Sequence, residues 1–225
     1  MPITPTTDSY YDDIVAICKQ YNATLLAVSK TRSEKEIMAL YQKGQRIFGE
    51  NRAHELIIKA SLLPTDIEWH LIGHLQSNKV NSVIRFVNCI QSLDSFKLWE
   101  KLNDEAKEGN QLIRCLLQIK IAKEDTKFGW DFNELRAVLD SGKCKALSNV
   151  SIEGVMGMAS LTSDHEQIRR EFTDLRKCFN ELKENYFKDN IQFNILSMGM
   201  SSDYMIALEE GSTMLRIGSL LFNKK

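Results

Sequence analysis

The stretch TLLAVSKTRSEKE, Thr24–Glu36, joins a short apolar run to a capped helix start. Thr24–Ser29 reads as a strand buried on both faces, because it is brief and nearly unbroken in apolar character. Ser33, with Glu36 three residues on, is a capping box opening a helix that runs to Lys43 and is stopped by Gly44. Strand-then-helix units belong either to an open doubly wound sheet or to a closed barrel. The open sheet would normally place a glycine-rich phosphate turn after its first strand, and Ser29–Glu36 contains no glycine. The barrel is the expectation.

The same alternation extends outward on both sides. An opening helix is expected over Asp8–Gln20. Downstream, strands are expected at Arg46–Gly49, Glu68–Ile72, Phe86–Gln91, Leu112–Ile121, Ser151–Met158, Ile191–Ser197 and Thr213–Ile217. Between them fall helices at Asn51–Ser61, Ser77–Ile84, Asp94 (as cap) to Glu108, Asp131–Asp140, Asp164–Lys183 and Ser202–Glu210. Such alternation makes the strands parallel, with right-handed crossovers. Eight units need roughly 200 residues or more, and the chain has 225. No low-complexity linker divides it. The expected architecture is α/β: a single (β/α)8 TIM barrel domain over residues 1–225, with an extra N-terminal helix.

Composition narrows the function. With 29 Lys+Arg against 30 Asp+Glu, the net charge of -1 provides no field to draw nucleic acid. No apolar run approaches the ~18 residues that span a bilayer, and MPITPTTDSYYDD lacks the order of a signal peptide. Cys18, Cys89, Cys115, Cys144 and Cys178 are odd in number and far apart, which fits reduced thiols in a cytoplasmic protein.

In a barrel, residues at the C-terminal ends of strands face the functional mouth. Lys30 ends LLAVSK and shares a face with Leu26 and Val28. Apolar surroundings would favour its neutral amine, able to form a Schiff base with a carbonyl; the bland alternative is a lysine reaching to solvent. Arg216 sits inside a strand and needs a carboxylate or a ligand as partner. LSMGMSSDY, Leu196–Tyr204, and EGSTMLRIGSLLF, Glu210–Phe222, offer small residues and free amides suited to a phosphate; ordinary helix capping by Ser201 or Ser202 is the equal alternative. Glu50 and Asn51 stand at a strand–helix junction, where capping is the simplest role. His70 and His74 are spaced H-x-x-x-H, but on a strand exit broken by Gly73, which argues against a metal. His54 and His165 fall on helix patterns as surface residues.

LLAVSKT (Leu25–Thr31), FGENRAHE (Phe48–Glu55), WHLIGHLQSNK (Trp69–Lys79), EGVMGM (Glu153–Met158), LSMGMSSDY and GSTMLRIG together resemble the pyridoxal phosphate homeostasis proteins. The resemblance covers nearly the whole chain. It implies a barrel like that of alanine racemase, binding pyridoxal 5′-phosphate (PLP) at its mouth, a part in intracellular vitamin B6 homeostasis, and no established catalysis. It also implies that Lys30 forms the Schiff base, that Met200, Ser201, Ile217 and Gly218 cradle the phosphate, that Arg216 faces the pyridine nitrogen, and that Asn51 lines the cofactor. His74 departs from a position often occupied by proline, and the ending FNKK from a common Phe-Gly.

An arginine beside the ring nitrogen disfavours a second positive charge there and weakens the electron sink of PLP chemistry. The resemblance implies that racemases with such an arginine add a second acid/base from another domain, and the eight units are not expected to leave room for one here. The expectation is a monomeric carrier, with PLP-dependent apo-enzymes as recipients. A small PLP-dependent amino-acid racemase is the alternative, followed by a lysine aldolase and a ligand-free interaction module.

Overall fold

The computed structural model describes residues 10–122 and 128–222. The expected helix start at Asp8 and the terminal Asn-Lys-Lys lie outside the described residues. Among these, eight parallel strands close into a barrel in chain order, β1 beside β8. They are β1 Thr24–Val28, β2 Ile47–Glu50, β3 Glu68–Leu71, β4 Cys89–Leu93, β5 Ile113–Gln118, β6 Val150–Met156, β7 Ile195–Ser197 and β8 Met214–Ile217. The helices are α1 Tyr10–Gln20, α2 Glu34–Gln42, α3 Ala53–Leu62, α4 Val80–Val83, α5 Phe96–Glu108, α6 Phe132–Asp140, α7 His165–Asn185, α8 Tyr204–Glu209 and α9 Ser219–Phe222. The alternation therefore holds through all eight units, and α9 supplies the helix that the sequence did not announce after the last strand.

Period-two alternation sorts each strand between two cores. Outward-facing Leu25, Phe48, Trp69, Leu71, Ile90, Leu117 and Leu215 pack under the helices as the main apolar shell. Inward, the apolar clusters are small: Leu26, Val28 and Met214 form one, Cys89, Leu116 and Met156 another. Between them the barrel axis is polar. Gly49 keeps the interior closed, since a Cβ there would lie 2.4 Å from the Leu26 side chain.

Several boundaries differ from expectation for local reasons. Phe86 and Val87 donate their N–H groups to Val83 O and finish the turn after α4, so β4 begins only at Cys89. The helix cap of α5 is Ser95, which accepts from Leu98 N–H; Asp94 instead binds His74. β7 begins at Ile195 rather than Ile191, because Phe193 stacks on Phe179 and Phe187 beneath α7 while Ile191 is exposed. The capping box at Ser33 is formed by both of its hydrogen bonds.

Candidate functional site

The C-terminal ends of the strands surround a cavity of about 580 Å³. Lys30, Asn51, Met200, Ser201, Arg216 and Gly218 all line it. Ile217 does not; its side chain is fully buried outward in the apolar shell, which leaves only its main chain near the mouth.

On the β7–β8 side the backbone sets the geometry. Gly199 has φ of 94°, and a Cβ there would meet that of Ala207 at 2.5 Å, so this sharp turn requires glycine. Ser201 and Ser202 precede α8 rather than starting it, and no side chain caps that helix. Buried Asp203 instead accepts from Met200 N–H at 2.6 Å and fixes the turn. Ser201 Oγ lies 3.4 Å from Gly218 N–H, which donates to it. The hydroxyl and the amide meet across two loops, where an anion would find turn donors rather than the helix end expected from the sequence.

Arg216 points into the barrel and is 3% exposed. Its hydrogen-bond acceptors are neutral: Nη1 donates to Ser197 Oγ at 2.8 Å and Nη2 to Gly157 O at 2.8 Å, while the charge of Asp203 also acts on it. Burial pulls its pKa down to about 10, so it remains a cation at neutral pH. Behind it a chain of hydrogen bonds runs down the barrel axis. Ser197 Oγ donates to Gln91 Oε1 at 2.7 Å, and Gln91 Nε2 donates to His70 Nδ1 at 2.8 Å. That fixes the neutral His70 tautomer with its proton on Nε2, which donates to Glu68 at 2.9 Å. Burial lowers the His70 pKa, in keeping with this state. Glu68 in turn is held by Arg114 at 2.6 Å. The donor and acceptor inventory permits only one direction, with each proton pointing away from the mouth.

Lys30 lies beyond the end of β1, beside Val28 in the cavity wall, as alternation implies. Its side chain is exposed, so the desolvation expected for its amine is absent. What surrounds its backbone is a feature the sequence reading missed. Lys59 of α3 is 4% exposed and contacts Ser29 O at 2.8 Å, Glu50 Oε1 at 2.8 Å and Glu55 Oε1 at 2.7 Å. Glu50 is thus a buried ion-pair partner rather than a cap, and its pKa is raised by burial against the pull of Lys59 and Ser29. The i,i+4 spacing of Glu55 and Lys59 was visible, but it reads by default as a solvated helix face.

Asn51 precedes α3 without capping it, since the cap position is Arg52. Its main chain is pressed against β3's exit: a Cβ on Gly73 would lie 2.2 Å from Asn51 O. At the rim His74 binds Asp94 at 2.7 Å and stacks on Phe128 at 3.8 Å. No metal-holding group of His, Cys, Asp or Glu occurs among the described residues. His54 and His165 are exposed, as expected.

A parallel eight-stranded barrel with a lysine at the end of its first strand and turn amides at its last two defines a class. The family described as alanine racemase, N-terminal domain, matches residues 9–224. Racemases themselves are distant: the Clostridium difficile enzyme in complex with cycloserine shares 16% identity at a TM-score of 0.74, over 92% of this chain and 57% of that one. That likeness shows the fold. Much nearer are proteins named pyridoxal phosphate homeostasis protein. The one from Aquifex aeolicus is 36% identical over 204 residues, 90% of this chain and 87% of its own. The human one is 36% identical over 215 residues, 89% of this chain and 76% of its own. The solved structure of PipY from Synechococcus elongatus with PLP bound matches at 34% identity and a TM-score of 0.84, covering 96% of this chain and 100% of that one. The chain belongs to the pyridoxal phosphate homeostasis protein family.

Proposed function

We propose that this chain is a cytoplasmic, monomeric PLP carrier that holds the cofactor reversibly on Lys30 and hands it to PLP-dependent apo-enzymes without catalysing a reaction. One observation carries the reading: an amine, a buried cation and the Ser201–Gly218 donors line a single cavity large enough for the cofactor. The residues fit the group. Gly218 brings backbone to the wall, and Gly199 makes the turn beside it. Lys30 would supply the amine that condenses with an aldehyde, one C=N forming as the carbonyl oxygen leaves as water. Ser201, Met200 and the Ile217–Gly218 main chain would hold the phosphate, Arg216 would face the ring nitrogen, and Asn51 would line the ring.

Bound PLP supplies an electron sink through its ring nitrogen, strongest when that atom is protonated. The hydrogen bonds of Arg216 go to neutral groups and only the charge of Asp203 acts on it from a carboxylate, so its positive charge is not cancelled by an ion pair and opposes protonation beside it. That favours storage over carbanion chemistry. The racemase reading has one observation in its favour: His74, oriented by Asp94, lines the same cavity and could serve as a second acid/base. It requires α-hydrogen exchange with deuterated solvent at turnover rates.

Borohydride reduction of PLP-loaded protein followed by peptide mass spectrometry tests the carrier reading. The adduct is expected on Lys30, and Lys30→Ala is expected to lose it completely. An adduct on another lysine, or sustained exchange across a panel of amino acids, would refute it.

A further inference from the structure

Lys30 occupies the second position of a tight turn. Arg32 N–H donates to Ser29 O at 3.0 Å, closing the turn around Lys30 and Thr31. Thr31, in the third position, has φ of 63°. Turns of this form favour glycine there, and a β-branched residue in the left-handed region is a genuine outlier. Such strain persists only where the surroundings over-determine it.

Here they do so on both sides of the lysine. Thr31 N–H donates to Glu55 Oε1 at 2.6 Å, and the same oxygen accepts from Lys59. Lys59 also donates to Ser29 O, and Ser29 Oγ donates to Glu50. Three contacts at 2.7–2.8 Å use all three protons of the Lys59 ammonium. One buried amine on α3 thereby ties the residue before Lys30 directly and the residue after it through Glu55. The cluster's own residues stay off the cavity: Lys59, Glu50, Glu55, Ser29 and Thr31 are absent from its wall, which they meet through Lys30 and, after Glu50, Asn51.

Resting on the assignment of Lys30 as the PLP-binding amine, we propose that Lys59 and Glu55 are positioning residues that hold the Ser29–Arg32 turn in its strained form and thereby aim the Lys30 amine at the aldehyde. The clamp acts on attack geometry. Phosphate recognition by Ser201 and Gly218 and the contact with Arg216 come from the opposite side of the mouth and are independent of it.

The test uses the full chain with Glu55→Ala, Thr31→Gly and the double variant. Glu55 is partly exposed, so its loss spares the buried Lys59–Glu50 pair and the fold. Adduct formation with PLP, followed by absorbance and borohydride trapping, is expected to slow by about 10- to 100-fold in Glu55→Ala, the scale of a small misplacement of a reacting group. Affinity for pyridoxine 5′-phosphate, which lacks the aldehyde, is expected to stay within about twofold of wild type if geometry alone changes. Thr31→Gly is expected to restore most of the rate in the Glu55→Ala background, since glycine adopts the turn without strain. In the cofactor-free protein, the Thr31 amide is expected to exchange hydrogen faster in Glu55→Ala. A wild-type rate in Glu55→Ala, an equal loss of pyridoxine phosphate binding, or no rescue by Thr31→Gly would overturn the proposal while leaving the Lys30 assignment intact. A wild-type protein that forms no adduct on Lys30 would overturn both.

Discussion

Among the described residues, Lys59 and Arg216 are cations buried near the barrel's mouth, and they are compensated in different ways. Lys59, between β2 and α3, meets two carboxylates within 2.8 Å. Arg216, inside the barrel, donates hydrogen bonds to a hydroxyl and a carbonyl, feels the charge of Asp203, and is linked to Glu68 through Ser197, Gln91 and His70. A charge matched by ion pairs is spent on holding structure. A charge given neutral partners retains its field and can act on a ligand. The difference separates the side of the mouth that aims the lysine from the side that sets the electronic character of whatever binds there.

Stability measurements break or sharpen that contrast most strongly. Lys59→Met leaves Glu50 buried and unpaired and is expected to cost about 3–5 kcal/mol in urea unfolding. Arg216→Met strands only the Ser197 hydroxyl and the Gly157 carbonyl, and is expected to cost about 1–3 kcal/mol. Equal losses would mean that both cations are structural. On the ligand side, Arg216→Glu replaces the opposing charge by a favourable one. The ring nitrogen of bound PLP is expected to titrate about 1–3 units higher, read by the pH dependence of its absorbance.

The smallest effect lies at the foot of the polar chain. Hydrogen bonding from His70, together with Arg114 at 2.6 Å, lowers the Glu68 pKa from 4.5 to about 2. Neutral His70 still donates through Nε2, so its hydrogen bond to Glu68 persists alongside Arg114. Because the folded value lies below the unfolded one, this carboxylate contributes stability above pH 4.5 that is lost as pH falls toward 2. Glu68→Gln is expected to flatten the acid limb of the stability profile across that window. An unchanged limb would place the acid sensitivity elsewhere.

The barrel was legible because each strand–helix unit carries its own punctuation. Ser33 with Glu36, Gly44 and Gly211 mark helix ends locally, and local marks survive without knowledge of the fold. Lys30, Ser201 and Arg216 were legible as candidates once a barrel was assumed, and Gly218 through the family resemblance; all four line one cavity. The exposure of the Lys30 amine was not, because alternation gives the direction of a side chain and not what lies above it. Gln91 and Ser197 could not be read at all: their contact spans 106 positions and exists only because the sheet closes. Lys59 was hidden for another reason. An i,i+4 Glu–Lys pair looks the same whether its face meets water or a strand carrying Glu50.

The central claim is best tested by a crystal structure of the protein loaded with PLP. Continuous density is expected from Lys30 Nζ to the aldehyde carbon, with the phosphate against Ser201 and Gly218 and the Arg216 guanidinium facing the ring nitrogen. A ligand seated away from these groups, or Lys30 directed to solvent with no density joining it to the cofactor, would contradict the account.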